Sequence, residues 1–205
     1  MRLSLSESKV TLLLATLAFF LLLLGCKNEQ PKISINQDVM EAAEVSEFET
    51  IIWNVKAYHP TGTLLDVKAM KDGHTYDVKA IQDTDQISIL DVKAFVNETI
   101  LPVKVLVSPD PLMPVKAIAE DGTIIDIKAL TADGQILDIK GVRQSGNIIH
   151  LRAIDKDGEH YTIEAISPKG WINDVKGVKL LDTPIEQTIK GVDVYAHIKA
   201  MPQTY

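Results

Sequence analysis

Between residues 50 and 202 the chain alternates apolar and polar residues in short runs separated by turn-forming pairs. Residues 124–130 read IIDIKAL and residues 136–142 read ILDIKGV, each with an apolar or small residue at every second position. A period of two marks a strand with one buried face. The unit returns at an interval of mostly twelve residues. Its basic slot is filled by Lys56, Lys68, Lys79, Lys93, Lys104, Lys116, Lys128 and Lys140, then by Arg152 and Glu164, then by Lys176, Lys190 and Lys199. Turn pairs lie between the runs: Thr61-Gly62, Asp72-Gly73, Asp121-Gly122, Asp133-Gly134, Ser145-Gly146, Asp157-Gly158 and Lys169-Gly170. Strand, tight turn and strand again is the signature of antiparallel hairpins.

Register follows from the turns. A loop of Ala132-Asp133-Gly134 places Lys128 opposite Asp138 and Asp126 opposite Lys140. A loop of Glu120-Asp121-Gly122 has the same form. Opposite charges facing across strands contribute a few tenths to about 1 kcal/mol per pair. The irregular intervals fit the same rule. Keeping Lys68 opposite Asp77 makes Asp72-Gly73 a two-residue loop, and keeping Lys79 opposite Asp91 requires a five-residue loop centred on Asp85. A solenoid with twelve-residue coils would instead stack Lys on Lys. The pattern therefore predicts an all-β fold, an antiparallel up-and-down meander of about twelve short strands with a twelve-residue repeat.

One face of each strand is the candidate core. Ile125, Ile127 and Ala129 share it with Leu137, Ile139 and Gly141, and the register sets Leu137 against Ala129 and Ile125 against Gly141. Trp53, Leu65, Tyr76, Leu90, Leu101, Met113, Ile149 and Tyr161 take the large slot elsewhere. A round barrel of this strand number has a wide lumen that Val and Ala cannot fill, so a flattened barrel or two-sheet sandwich is expected. An outer-membrane barrel fits poorly, because each strand offers only about three apolar residues on one face and there is no aromatic girdle. Residues 179–193 stretch the period and suggest a capping hairpin at the end of a domain spanning 49–202.

The first residues follow another pattern. Arg2 and Lys9 precede an apolar run from Val10 to Leu24, and the run ends in Leu23-Leu24-Gly25-Cys26. This order is that of a signal peptide, with an apolar core short for a membrane span. The tetrapeptide resembles the lipobox of bacterial lipoproteins. The resemblance implies a signal segment over 1–26, acylation of Cys26 (the single cysteine) and attachment to a membrane through that lipid. Lys27 after the cysteine leans toward the outer membrane, with surface exposure left open. Residues 27–48 are rich in Asp and Glu and read as an acidic tether. The formal charge is −7; Arg2 and Lys9 against Glu7 leave −8 for the remainder, which argues against a nucleic-acid partner.

Function should sit where the repeat fails. Pro102 and Pro114 replace the acid, leaving Lys93, Lys104, Lys116 and Lys128 as a candidate patch for an anionic ligand such as a sulfated or uronic glycan. The register places Pro102 between Lys93 and Lys116, and Pro114 between Lys104 and Lys128. Proline lacks a ladder donor, so the pair could equally mark a seam between two sheets. Glu164 stands in a basic slot, with His150 and Asp174 in acid slots on neighbouring strands. This trio is the candidate divalent-metal set, or else a plain His150–Glu164 pair. No nucleophile elbow, phosphate loop, HExxH or CxxC is present, so neither an enzyme nor a cofactor is expected.

The segments DVKA, DGTIIDIKAL and NDVKGVK resemble an uncharacterised repeat domain of Bacteroidota lipoproteins, over roughly residues 50–202. The resemblance implies a cell-envelope location and no established activity. The expected function is a non-catalytic envelope lipoprotein, a structural or binding module for a protein or glycan. The alternatives are a carrier of an apolar small ligand and a binder of anionic glycans.

Overall fold

The computed structural model describes residues 48–203. The signal segment 1–26, Cys26 and all but the last residue of the tether 27–48 lie outside the described residues.

The alternating runs become thirteen antiparallel strands in one sheet among the described residues. They are β1 (Ile51–Tyr58), β2 (Leu64–Lys71), β3 (His74–Gln82), β4 (Leu90–Val96), β5 (Thr99–Leu106), β6 (Met113–Ile118), β7 (Ile124–Leu130), β8 (Ile136–Ser145), β9 (Ile148–Ile154), β10 (His160–Ile166), β11 (Ile172–Val178), β12 (Gln187–Ile189) and β13 (Val192–Pro202). Because all belong to one sheet, Pro102 and Pro114 do not separate two. Lys190 leaves the repeat: it sits in the turn between β12 and β13. That short hairpin matches the expected cap, while the rest of β13 joins the main sheet.

The turns form as the pairs predict. The amide of Gly122 donates to the carbonyl of Ala119 (3.0 Å) and that of Ala119 to the carbonyl of Thr123 (2.9 Å), closing the loop Glu120-Asp121-Gly122. Asp72 and Gly73 both have positive φ (51° and 78°), the conformation that twists a two-residue hairpin correctly. Lys128 faces Asp138, and Lys68 faces Asp77.

Hairpin register does not persist along the strands, and this is the main correction to the sequence reading. β8 leaves β7 after Asp138 and pairs with β6, so Gly141 faces Met113 rather than Ile125, and Lys140 faces Pro114 rather than Asp126. Asp126 faces Lys116. Three strands thus meet as a triangle, each sharing its length between the other two. The same triangle recurs in β1–β2–β3, in β9–β10–β11 and in β4–β5–β13.

The opposite side of each strand pairs along a single partner. These pairs are β1–β10, β2–β7, β3–β4, β5–β6, β8–β9 and β11–β13. Each joins a different two of the four triangles. Four three-stranded corners joined by six two-stranded edges have the connectivity of a tetrahedron. The pairing therefore closes through twelve strands without being an even barrel, and β12 alone stands outside the ring. The hairpin β3–β4 is an edge, so Lys79 faces Lys93 and not Asp91.

Packing explains why the corners close. At each corner a large inward residue faces a small one on the next strand: Leu65 with Ala57, Tyr76 with Ala69 and Trp53 with Ala80 in the first. Ala117 with Ile125, Ala129 with Leu137 and Gly141 with Met113 repeat this in the β6–β7–β8 corner. Of the predicted large slots, Trp53, Leu65, Leu90, Leu101 and Ile149 are buried, and Tyr76, Met113 and Tyr161 pack partly buried against them. Deeper still, Val55, Val67, Val78, Val92, Val103, Val115, Ile127, Ile139, Leu151, Ile163, Val175 and Ile198 converge, one from each ring strand. They leave a void of only about 10 Å³. That is the lower limit for a single water, and its lining is apolar.

Ile149 is wedged between two corners. A Cβ at Gly141 would lie 2.8 Å from its Cγ2, and a Cβ at Gly177 would lie 3.0 Å from its Cβ. Gly141→Ala is therefore expected to cost about 1–3 kcal/mol by overpacking. Ile149→Ala should cost less in the Gly141→Ala background than alone, because it removes the clashing methyl. Urea unfolding of the two single variants and the double variant measures this coupling.

Candidate functional site

The outward middle of each ring strand carries the acid slot and, two residues later, the basic slot. Corner pairing sets the base of one strand opposite the acid of the next, in a cycle. In the β1–β2–β3 corner Lys56 binds Asp66, Lys68 binds Asp77 (2.5 Å), and Lys79 donates to Asn54 Oδ1 (2.8 Å) and approaches Asp77 (3.3 Å). In the β6–β7–β8 corner Lys116 binds Asp126 and Lys128 binds Asp138, while Lys140, opposite Pro114, reaches Asp138 at 3.8 Å. These bonds hold the carboxyls of Asp66, Asp77 and Asp138 below their ordinary range, through Lys56, Lys68 and Lys128 respectively.

Edges do the reverse. Lys68 faces Lys128, Lys104 faces Lys116, Lys176 faces Lys199 and Lys140 faces Arg152. Like charges directly opposite destabilise a sheet. The corner acids compensate for them, so the charge pattern is balanced in triangles and not along hairpins.

Two corners depart from this balance. In β9–β10–β11, Glu164 faces Asp174, as the sequence suggests, but His150 faces Lys176 and Arg143, and Arg152 faces Thr162. Asp174 is held by Lys176 at 2.8 Å. Burial, reinforced by Asp174, raises the Glu164 carboxyl. Burial, then Lys176 and Arg152, lowers the His150 imidazole. The three candidate ligands share one corner, where Lys176 binds Asp174 and faces His150. Among the described residues no group of three or more His, Cys, Asp or Glu is placed to hold a metal ion.

The other departure is the β4–β5–β13 corner. Here Lys93 faces Pro102, Lys104 faces His197, and Lys199 faces Asp91. Asp91 is the single carboxylate in the three acid slots. It takes Lys199 on one oxygen and Lys93 on the other, at 3.2 Å. Lys104 Nζ hydrogen bonds His197 Nδ1. The other imidazole nitrogen, Nε2, lies 3.2 Å from Oε2 of Glu186, whose side chain is only 1 % exposed. Glu186 Oε1 accepts the backbone amides of Leu180 (2.5 Å) and Leu181 (2.9 Å), so the loop before β12 fixes it behind the imidazole. Burial first and then Lys104 keep His197 below its usual value. A neutral ring accepts the Lys104 ammonium on Nδ1, and Glu186 Oε2 lies buried beside Nε2 with no hydrogen-bond partner among the described residues. Asp91, Lys93, Pro102, Lys104, His197 and Lys199 line a cavity of about 170 Å³.

The four lysines predicted as one patch thus fall on two corners. Lys93 and Lys104 belong to the acid-poor one, and Lys116 and Lys128 are held by Asp126 and Asp138. Lys199, His197 and Glu186 complete the acid-poor corner and were missed, because β13 reaches it through pairings that no hairpin reveals. The one available signal was that Lys199 fills the basic slot and His197 the acid slot two residues earlier. A larger cavity, about 650 Å³, lies beside the first strand, lined by Phe48, Ile52, Gln82, Asp85, Lys169 and Trp171 among others. Beneath it Trp53 Nε1 donates to Gln82 Oε1 (3.0 Å).

The fold defines an all-β domain whose antiparallel sheet closes on itself through four corners, with chemistry confined to its outer face. By sequence the chain belongs to a family of unknown function, DUF7486, matched over residues 49–201. No curated protein and no solved structure matches it.

The acid-poor corner leaves a measurable trace. Burial, followed by Lys93 and Lys199, pushes the Lys104 ammonium down to about 8, against 10.5 for a free lysine. The unfolded chain therefore holds this proton across the interval in which the folded chain has lost it. The stability associated with this position rises as pH climbs from about 8 to 10.5, and the buried charge costs stability below 8. Lys104→Gln keeps a donor for His197 and removes the charge. Its melting temperature should exceed the parent's by a few degrees at pH 7, and the difference should shrink steadily between pH 8 and pH 10.

Proposed function

We propose that this chain is a non-catalytic lipoprotein of the cell envelope, anchored through Cys26 at the outer membrane, and that its β-domain is a structural or binding module. The observation that carries this reading is the packed interior. Twelve side chains leave about 10 Å³, too little for a carried apolar ligand, so recognition is left to the outer face. The outer face supports a binding role and not a reaction: its carboxylates are mostly engaged by lysines within the corners. The apolar run ending in Leu23-Leu24-Gly25-Cys26 supports the anchor, and a lipid anchor of more than one acyl chain attaches stably.

Anchoring is tested by expressing the full chain and Cys26→Ala in a diderm bacterium fed labelled palmitate. The parent should incorporate label and sediment with outer-membrane fractions, and Cys26→Ala should do neither. A Cys26→Ala chain that remained in the outer-membrane fraction would sink the anchor.

A further inference from the structure

The geometry points to an oxyanion site at the β4–β5–β13 corner, where Lys93, Lys104 and Lys199 surround a small cavity and receive the terminal oxygens of a sulfate or phosphate monoester. This deepens the binding-module reading and rests on it.

Three observations carry the inference. First, charge: three lysines face one carboxylate, Asp91, because Pro102 and His197 occupy the other two acid slots. The β1–β2–β3 and β6–β7–β8 corners also have three lysines, but each has two aspartates bonded to them. Second, register: the pairing is cyclic, Lys93 to Pro102, Lys104 to His197 and Lys199 to Asp91, so the three lysines enter the corner from three different strands. A sulfate or phosphate monoester presents three terminal oxygens around the ester bond, whereas a carboxylate presents two. Each ammonium has three donors, and the contacts with Asp91 and His197 do not exhaust them. Third, space: about 170 Å³ is below the range of a drug-sized pocket and suits one functional group, with the remainder of the ligand outside. The hydrogen bond to His197 holds Lys104 in place before the anion arrives.

The test uses the full mature chain and four probes, each against an ionic-strength-matched chloride control. These are inorganic sulfate, inorganic phosphate, glucosamine 6-sulfate and glucosamine 6-phosphate, titrated by calorimetry. The expected result is saturable binding, strongest for the esters if the source is a modified glycan and equal for the inorganic ions if it is a free anion. Lys104→Gln and Lys199→Gln should each weaken it about tenfold or more, the loss of one charge-assisted hydrogen bond. Pro102→Asp, which restores the regular acid opposite Lys93, should abolish it. Lys128→Gln, at another corner, should leave it unchanged. Circular dichroism confirms that each variant is folded. No saturable response above the chloride control, or an equal loss in Lys128→Gln, would overturn the site. Assaying the same samples for released sulfate or phosphate separates the two readings: release would overturn the non-catalytic reading while leaving the site in place.

Discussion

Everything in this domain depends on satisfying both edges of every strand. An open strand edge exposes unpaired amides and carbonyls and invites aggregation, and closure into an even barrel of twelve strands would leave a lumen wider than Val and Ala can fill. The chain closes by splitting one edge of each strand between two neighbours. Three strands can then meet at a corner and bend the sheet sharply, and the interior shrinks until one side chain per strand fills it. The cost is steric: at a corner three inward side chains would collide unless each faces a small residue. That is why Ala or Gly follows the basic slot in eleven of the twelve ring strands, with Val105 in the other.

The charges follow the same geometry. A lysine opposite a lysine on each of four edges would be a repulsive ladder if the sheet were flat. Here Lys56, Lys68, Lys116, Lys128 and Lys199 each bind the acid of the next strand at their corner. Asp126 thus serves both Lys116 and Lys128, at once a cross-strand and a same-strand partner. Removing an acid from the β4–β5–β13 corner cannot be corrected from its edges, where Lys93, Lys104 and Lys199 each face another lysine. An excess of positive charge stays local, and β4–β5–β13 is where it collects.

The sequence disclosed the register of the hairpins that lie within a corner. Lys68 opposite Asp77 and Lys128 opposite Asp138 follow from loop length and from Gly in the turn. The inward alternation likewise identified Trp53, Leu65 and Ile149 as core. Lys79 opposite Asp91 failed because corner and edge hairpins were treated as one kind: an edge hairpin sets base against base whatever the interval, as Lys79 faces Lys93 and Lys104 faces Lys116. Pairings such as β2–β7 and β1–β10 were illegible in principle. A period of two fixes which face is buried, and says nothing about which of twelve near-identical strands lies alongside. The same limit explains the site. Pro102 announced that acid was missing beside Lys93 and Lys104, but Lys199, His197 and Glu186 arrive from the far end of the chain.

That last strand has a further meaning. β13 alone joins the β4–β5 hairpin to β11, which lies far along the chain from it. These edges stay unpaired until β13 is in place. Contacts that bridge so great a sequence distance slow the closure of a fold. The acid-poor corner is thus a clasp: the β4–β5 hairpin brings Lys93 and Lys104 together, and Lys199 joins them only when β13 docks.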